Sequence, residues 1–201
     1  MNRRHSTLIG VLFLCLVLIS TSTIASDLSR QFSNKGDTVR SHLEMAVKAA
    51  REWQSDALLW QVSAGSFIGF GGELLPCNTR VPQSGWTYYF WSPKTRMDHR
   101  VNICGKSIVP EGLGGNLHTE KEFIRGNFLD TDKIGKIVEK IQESQNCTLK
   151  GKHWEGRLKF NRIHSKPMWH ANVQCSDVQY LAILIDPVTG KATSQLIEEV
   201  P

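Results

Sequence analysis

The C-terminal stretch of the chain sets the pattern for reading the rest. Val178, Tyr180, Ala182 and Leu184 alternate with Gln179, Leu181, Ile183 and Ile185, so both series are largely apolar. The run therefore reads as a strand buried on both faces. It stops at Asp186-Pro187-Val188-Thr189-Gly190-Lys191. There Pro187 presets a backbone angle, Asp186 can accept from amides ahead of it, and Gly190 is free to take a positive φ. Ala192 to Ile197 is the return strand of this hairpin.

Further upstream, Ser41-His42-Leu43-Glu44 has the form of a capping box, and Leu43, Ala46, Val47 and Ala50 follow at helical spacing. This predicts a helix from about Leu43 to Gln54. Ala57 to Ala64 predicts a strand with Leu58, Trp60 and Val62 on one side. Gly65 to Gly72 surrounds Phe67, Ile68 and Phe70 with glycine, as a wide hairpin loop or a binding loop. Gly85 to Trp91 is rich in aromatic and β-branched residues and predicts a strand, with Met97 to Ile103 returning beside it. Pro110 to Asn116 reads as a linker, and Phe123 to Phe128 as a short strand or a loop. Thr131-Asp132 offers a cap for Ile134, Ile137, Val138 and Ile141, predicting a second helix that ends near Gln145. Leu158 to Ile163 and Trp169 to Cys175 complete the strands.

Residues 1–25 form a segment apart. Arg3 and Arg4 precede an apolar run from Leu8 to Ile19, and Thr23-Ile24-Ala25 offers small residues where a signal peptidase cuts. The expectation is a cleaved secretory signal with the mature chain starting near Ser26. Cys15 follows Leu14 rather than a small residue, which argues against lipidation there. No later apolar run is long enough to span a bilayer, so no integral membrane segment is expected after cleavage.

Of 24 basic residues, two lie in that segment, which leaves 22 against 19 acidic ones and a net charge of +3. Lys150, Lys152, Arg157, Lys159, Arg162 and Lys166 form the densest basic stretch, interleaved with Trp154 and Phe160. It reads as a solvated strand face, because nucleic-acid sites carry a stronger local charge. No nucleic acid is expected as a partner.

Beyond the leader four cysteines remain, Cys77, Cys104, Cys147 and Cys175. An even count in a secreted chain predicts two disulfides with three possible connectivities. Pairing Cys77 with Cys104 and Cys147 with Cys175 is favoured, since each bridge then closes a loop within its own half.

Candidate chemistry is sparse. Gly105-Lys106-Ser107 lacks the glycine five residues earlier that a phosphate loop needs, since Arg100 stands there. His153 with Glu155, and His164 with His170, do not reproduce a zinc-ligand spacing. No metal or cofactor is expected. A serine nucleophile would need its elbow, and none is present. An acid/base pair among Glu73, Asp98 and Glu111 remains spatially open. Trp53, Trp60 and Trp86 read as core. Phe67, Phe70, Trp91, Trp154 and Trp169 lie near loops, turns or strand ends and are the candidate binding residues.

The order helix, strand, aromatic strand, return strand occurs twice, opened by Ser41 and Thr131 and carried by Trp86 and Trp169, which predicts an internal repeat. The fold class expected is α+β, two helix-plus-antiparallel-sheet units over 26–110 and 111–201. The second unit resembles the PepSY family of small secreted domains. The resemblance rests on the helix Thr131 to Gln145, on Trp169-His170-Ala171-Asn172-Val173, and on Leu184 to Lys191, similar to that family's closing "hydrophobic, Asp, any, any, Thr-Gly-Lys" hairpin. In the first half, Ala50 to Trp53, Asp56 to Leu59 and Trp86 to Phe90 are similar in layout, without the Asp-x-x-Thr-Gly turn after Ile103. The resemblance implies a PepSY-like α+β domain, secreted or periplasmic, with no catalytic residue set. Its partners would be envelope or extracellular proteins such as a protease. The function expected is a non-enzymatic binding or inhibitory module. The alternative is a small secreted hydrolase with a site assembled from scattered histidines and acidic residues.

Overall fold

The computed structural model describes residues 38–65, 67–70, 72, 74–75, 85–104, 107–115, 117–147 and 153–198. The leader and Cys77 lie outside them. The described residues form two α-helices, α1 (Val39–Trp53) and α2 (Thr131–Ser144), and ten strands. The strands are β1 (Leu58–Ala64), β2 (Phe67–Gly69), β3 (Leu74–Leu75), β4 (Trp86–Ser92), β5 (Met97–Cys104), β6 (Ser107–Gly112), β7 (His153–Asn161), β8 (Lys166–Gln174), β9 (Gln179–Ile185) and β10 (Ala192–Glu198). Eight of them lie in the order β10-β9-β8-β7-β1-β4-β5-β6, every neighbouring pair antiparallel.

This corrects the expected fold class. Two separate helix-plus-sheet units would each keep a sheet of their own. Instead β1 pairs with β7 across the middle, Gln61 opposite Lys159 and Ser63 opposite Arg157, so one large sheet runs through the molecule. Strand β6 begins before the linker predicted at Pro110 and pairs along β5 from Cys104 to His99.

One face of this sheet carries the core. Tyr88, Phe90, Val101 and Ile103 from the first half, and Leu158, Trp169, Ala171, Val173, Leu181, Ile183 and Ile185 from the second, are buried against Val39, Ala46 and Ala50 of α1 and Ile134 and Val138 of α2. Each fully buried aliphatic side chain contributes about 1.5–3 kcal/mol. The period-2 alternation of the strands and the helical spacing of the two helices meet on this face.

Asp130 joins the two helices. Its Oδ1 accepts from the Thr131 amide at 2.8 Å, capping α2, and from the Arg40 amide at 3.0 Å in the first turn of α1. Its Oδ2 accepts from the Thr38 hydroxyl at 2.6 Å. A carboxylate between two helix N-termini satisfies amides that have no intrahelical partner and meets the positive ends of both dipoles. Helix α1 therefore starts four residues before the predicted Leu43, and the capping box at Ser41 is not used; the Ser41 hydroxyl bonds back to the Thr38 carbonyl at 2.6 Å. The cap of α2 is Asp130 rather than Thr131.

The glycine-rich segment solves a packing problem. Strand β2 pairs with β3 and also with the start of β7, Ile68 opposite Trp154. Its end lies so close to α2 that a Cβ at Gly135 would stand 2.3 Å from the Phe70 carbonyl oxygen. Gly72, at φ +90°, approaches the Asp132 amide nitrogen to 2.2 Å by the same measure. Side chains at either position would push the helix off the sheet.

A β-bulge at Trp60 shifts the register of β1 against β4, from Leu59 opposite Phe90 to Gln61 opposite Tyr89. The predicted side shared by Leu58, Trp60 and Val62 is therefore split. Val62 goes under the helices, while Trp60 turns to the far face and packs on Tyr89 and His118. The closing strand is corrected too. In β9 only Leu181, Ile183 and Ile185 are buried; Tyr180, Ala182 and Leu184 are half-exposed, so the strand is covered on one face, not both. The turn after it is as read: Asp186 Oδ1 accepts from the amides of Val188 at 2.9 Å and Thr189 at 2.8 Å, and Gly190 takes φ +72°.

Cys147 and Cys175 form a disulfide. Cys104 is also disulfide-bonded, with its partner outside the described residues.

Candidate functional site

Both helices lie on the core face, which leaves the opposite face to be covered by other means. Over β4 and β5 a strap does this. Leu113 begins it by donating its amide N–H to the Asp98 carbonyl at 2.9 Å, and Ile124 ends it by donating to the Leu59 carbonyl at 2.8 Å. Between them His118 stands with Nε2 at 3.1 Å from Asp98 Oδ1 and Nδ1 at 2.8 Å from Glu122 Oε2. Trp60 and Trp91 pack on the imidazole, and Phe123 stacks on Trp91. Burial raises the Glu122 pKa, but hydrogen bonds from His118 and from the Thr119 amide and hydroxyl outweigh it and leave the carboxyl below its ordinary value. An imidazole between two carboxylates has the parts of a general acid–base relay, yet its side chain is only 7% exposed beneath apolar rings. Its work here is to fasten the strap.

Over β7, β8 and β9 the same face is less covered: Glu120–Glu122 of the strap touches β7 and β8 and Met168 is buried, while Arg157 and Glu155 are exposed and Tyr180, Ala182 and Leu184 half-exposed. Arg157 lies directly opposite His170, Lys159 opposite Met168, and Glu155 opposite Asn172. Gln61 and Ser63 of β1 continue the row on one side and Leu184 and Ala182 of β9 on the other. Among the described residues neither Arg157 nor Lys159 has an ion-pair partner. Their charge is felt by His170. Burial first, then Lys159 and Arg157, push its pKa down to about 4, so the ring is neutral at physiological pH. Its Nε2 is buried with no hydrogen-bond partner among the described residues.

At the lower end of this face a shallow hollow of about 160 Å³ is lined by His164, Lys166, Met168, Leu184, Asp186 and Lys191, among others. Here a histidine and a carboxylate line one hollow. Asp186, however, is already bonded to the Lys166 ammonium and to the turn amides, which hold its carboxyl far below the usual range. A base whose lone pairs are so engaged has little left for a substrate proton.

The residues singled out in the sequence are placed differently. Trp154 and Trp169 are fully buried and meet edge to face, with ring centroids 6.3 Å apart; their indole N–H groups donate to the carbonyls of Gly69 and Leu129, both at 3.3 Å. Trp91 is buried under the strap, and Phe70 packs on the core. Trp91, Trp154 and Trp169 are thus buried and Phe70 half-buried, because strand ends that look exposed in sequence are covered by distant segments. For Phe67 the backbone in β2 is described but the side chain is not. Glu111 is spent on Arg100, whose Nε donates at 2.8 Å, and Asp98 on His118. Among the described residues no three histidine, cysteine or carboxylate side chains gather as a metal site.

Arg157 and Lys159 belong to the basic stretch of the sequence. Their alignment with His170 is not legible there, since that depends on the β7–β8 register. No family model matches the chain, and no curated protein does. Among solved structures, a crystal structure of a protein from Clostridium difficile 630, provisionally described as a lipoprotein, aligns with a TM-score of 0.46. The alignment has 12% identity and covers 75% of this chain and 90% of that one. No helix among the described residues is long and apolar enough to cross a membrane.

Proposed function

We propose that the chain is a secreted or periplasmic binding module that holds a protein partner, without catalysis of its own, on the open face of its sheet. The observation that carries this is the pair Arg157 and Lys159. Among the described residues these two cations have no ion-pair partner, and they stand on the part of the sheet face that the strap leaves least covered. Bonding groups there are presented outward on rigid strands, which suits docking of a preformed surface. The hollow beside them is shallow and its carboxylate is engaged, which supports binding over the hydrolase reading. The disulfide Cys147–Cys175 supports an oxidising compartment. A partner of the protease kind, as the PepSY resemblance implies, would have an inhibitory outcome.

The test compares three forms of the mature protein as bait in envelope extract: the parent, Arg157→Glu with Lys159→Glu, and the control Lys136→Glu on the exposed side of α2. A partner kept by the parent and the control but lost by the double variant is the expected result. Equal capture by all three, or capture by none, overturns the proposal.

A further inference from the structure

The sheet has two edges, and they are built differently. Edge strand β6 contains Pro110, which has no amide to offer a further strand, and its Glu111 is tied back to Arg100. Edge strand β10 has none of these devices. It runs Ala192-Thr193-Ser194-Gln195-Leu196-Ile197-Glu198 in unbroken register with β9, from Ala192 opposite Ile185 to Glu198 opposite Gln179. It contains no proline, no lysine and no bulge, and Thr193 to Leu196 are all exposed, Leu196 at 44%. Among the described residues nothing pairs with its outer side.

We infer that β10 is a dimerisation edge, pairing antiparallel with β10 of a second copy of this chain to continue the sheet. The strand is flanked by Lys191 at its start and closed by Glu198 at its end. An antiparallel copy brings each Lys191 end to the Glu198 end of the other chain; a parallel one would set like charges together. The two-fold axis lies at Gln195, which then faces Gln195 of the second copy, with Ser194 opposite Leu196 and Thr193 opposite Ile197. Around it, core-face residues meet core-face residues, and the exposed Leu196 and half-exposed Ile197 gain neighbours across the new pair. The inference is independent of the open-face proposal, since β10 lies at the margin of that face.

Sedimentation equilibrium of the mature protein over a concentration series tests it. The expected result is a monomer–dimer equilibrium whose dissociation constant rises about tenfold or more in Gln195→Lys, which sets like charges across the axis. Exposed positions tolerate these changes, and circular dichroism checks that each variant is folded. Under mild oxidation Gln195→Cys should give a covalent dimer, while Ala192→Cys and Glu198→Cys, displaced from the axis, should not. A parent that stays monomeric throughout overturns the inference, as does a dimer insensitive to Gln195→Lys or crosslinking that ignores position.

Discussion

The far face of the sheet contrasts between the two halves. In β4 and β5 its row is Thr87, Trp91, Asp98 and Asn102, all buried, with Tyr89 and Arg100 half-exposed. In β9 its row is Tyr180, Ala182 and Leu184, and all three are half-exposed. The more polar row is the more buried one. Burial here is decided by what crosses over a strand: the strap from Leu113 to Ile124 lies along the first half and reaches the second only where Glu120–Glu122 touches β7 and β8, the face on which Met168 is buried. Polar groups survive beneath it because they pair: Thr87 with Asn102, Asp98 with His118.

Adjacent-position substitution sharpens the contrast most strongly. In the second half, Ile183→Asp should cost several kcal/mol, since a carboxylate would be buried without a partner, whereas Leu184→Asp, at the margin of the open hollow, should cost much less. In the first half no such asymmetry is expected. Phe90→Ala and Trp91→Ala, on opposite faces, should each cost about 3–5 kcal/mol. Urea denaturation of the four variants is the check, and equal losses at 183 and 184 would break the comparison.

The alternation of β9 was legible in sequence, as were both helices and most strands. What misled was the apolar character of Tyr180, Ala182 and Leu184, which suggested a second covering layer. The strap could not be read either. Its backbone has no period, and its anchors Asp98 and His118 lie 20 residues apart and look like ordinary polar positions. The same holds for Asp130, whose helix cap is formed 92 residues away from Thr38. At the open face, Arg157 and Lys159 were legible as charge but not as neighbours of His170, because one residue of register would have turned them under the helices.

Smaller effects follow. Reducing Cys147–Cys175, which spans 28 residues, should lower stability by about 3–4 kcal/mol in the chain-entropy model, read as a drop in melting temperature. Asp130→Ala should cost about 2 kcal/mol by uncapping helices from both halves at once, and calorimetry should show a single transition still.

Acid should weaken the fold through both faces. His170 titrates near 4 when folded and His99, buried against Trp53, is likewise pushed down by burial. The unfolded chain therefore takes up these protons first, and stability falls as pH drops from 6.5 toward 4. Glu122, lowered in the fold, extends the loss as pH falls through its ordinary value of 4.5 and below. His170→Gln should flatten the upper part of this decline in a series of urea midpoints. Smallest of all, Thr189→Ala should cost about 1 kcal/mol or less, since only exposed turn contacts of its hydroxyl are lost, one accepting from the Lys191 amide at 3.3 Å and one to the Asp186 carboxylate.

The shared carboxylate at Asp130 also has a bearing on birth order. As the chain is made, Thr38 and Arg40 emerge long before residue 130, an interval of about 5–20 s at ordinary synthesis rates. For that time α1 lacks its cap, and β1 lacks the strand that will flank it at Gln61 and Ser63. A nascent N-terminal half is thus a ribbon with an open edge and an apolar side, the kind of intermediate that holding chaperones recognise. Chains arrested before residue 130 should be cut readily by a protease, and chains extended past β7 should resist. The late half of the protein completes the early one.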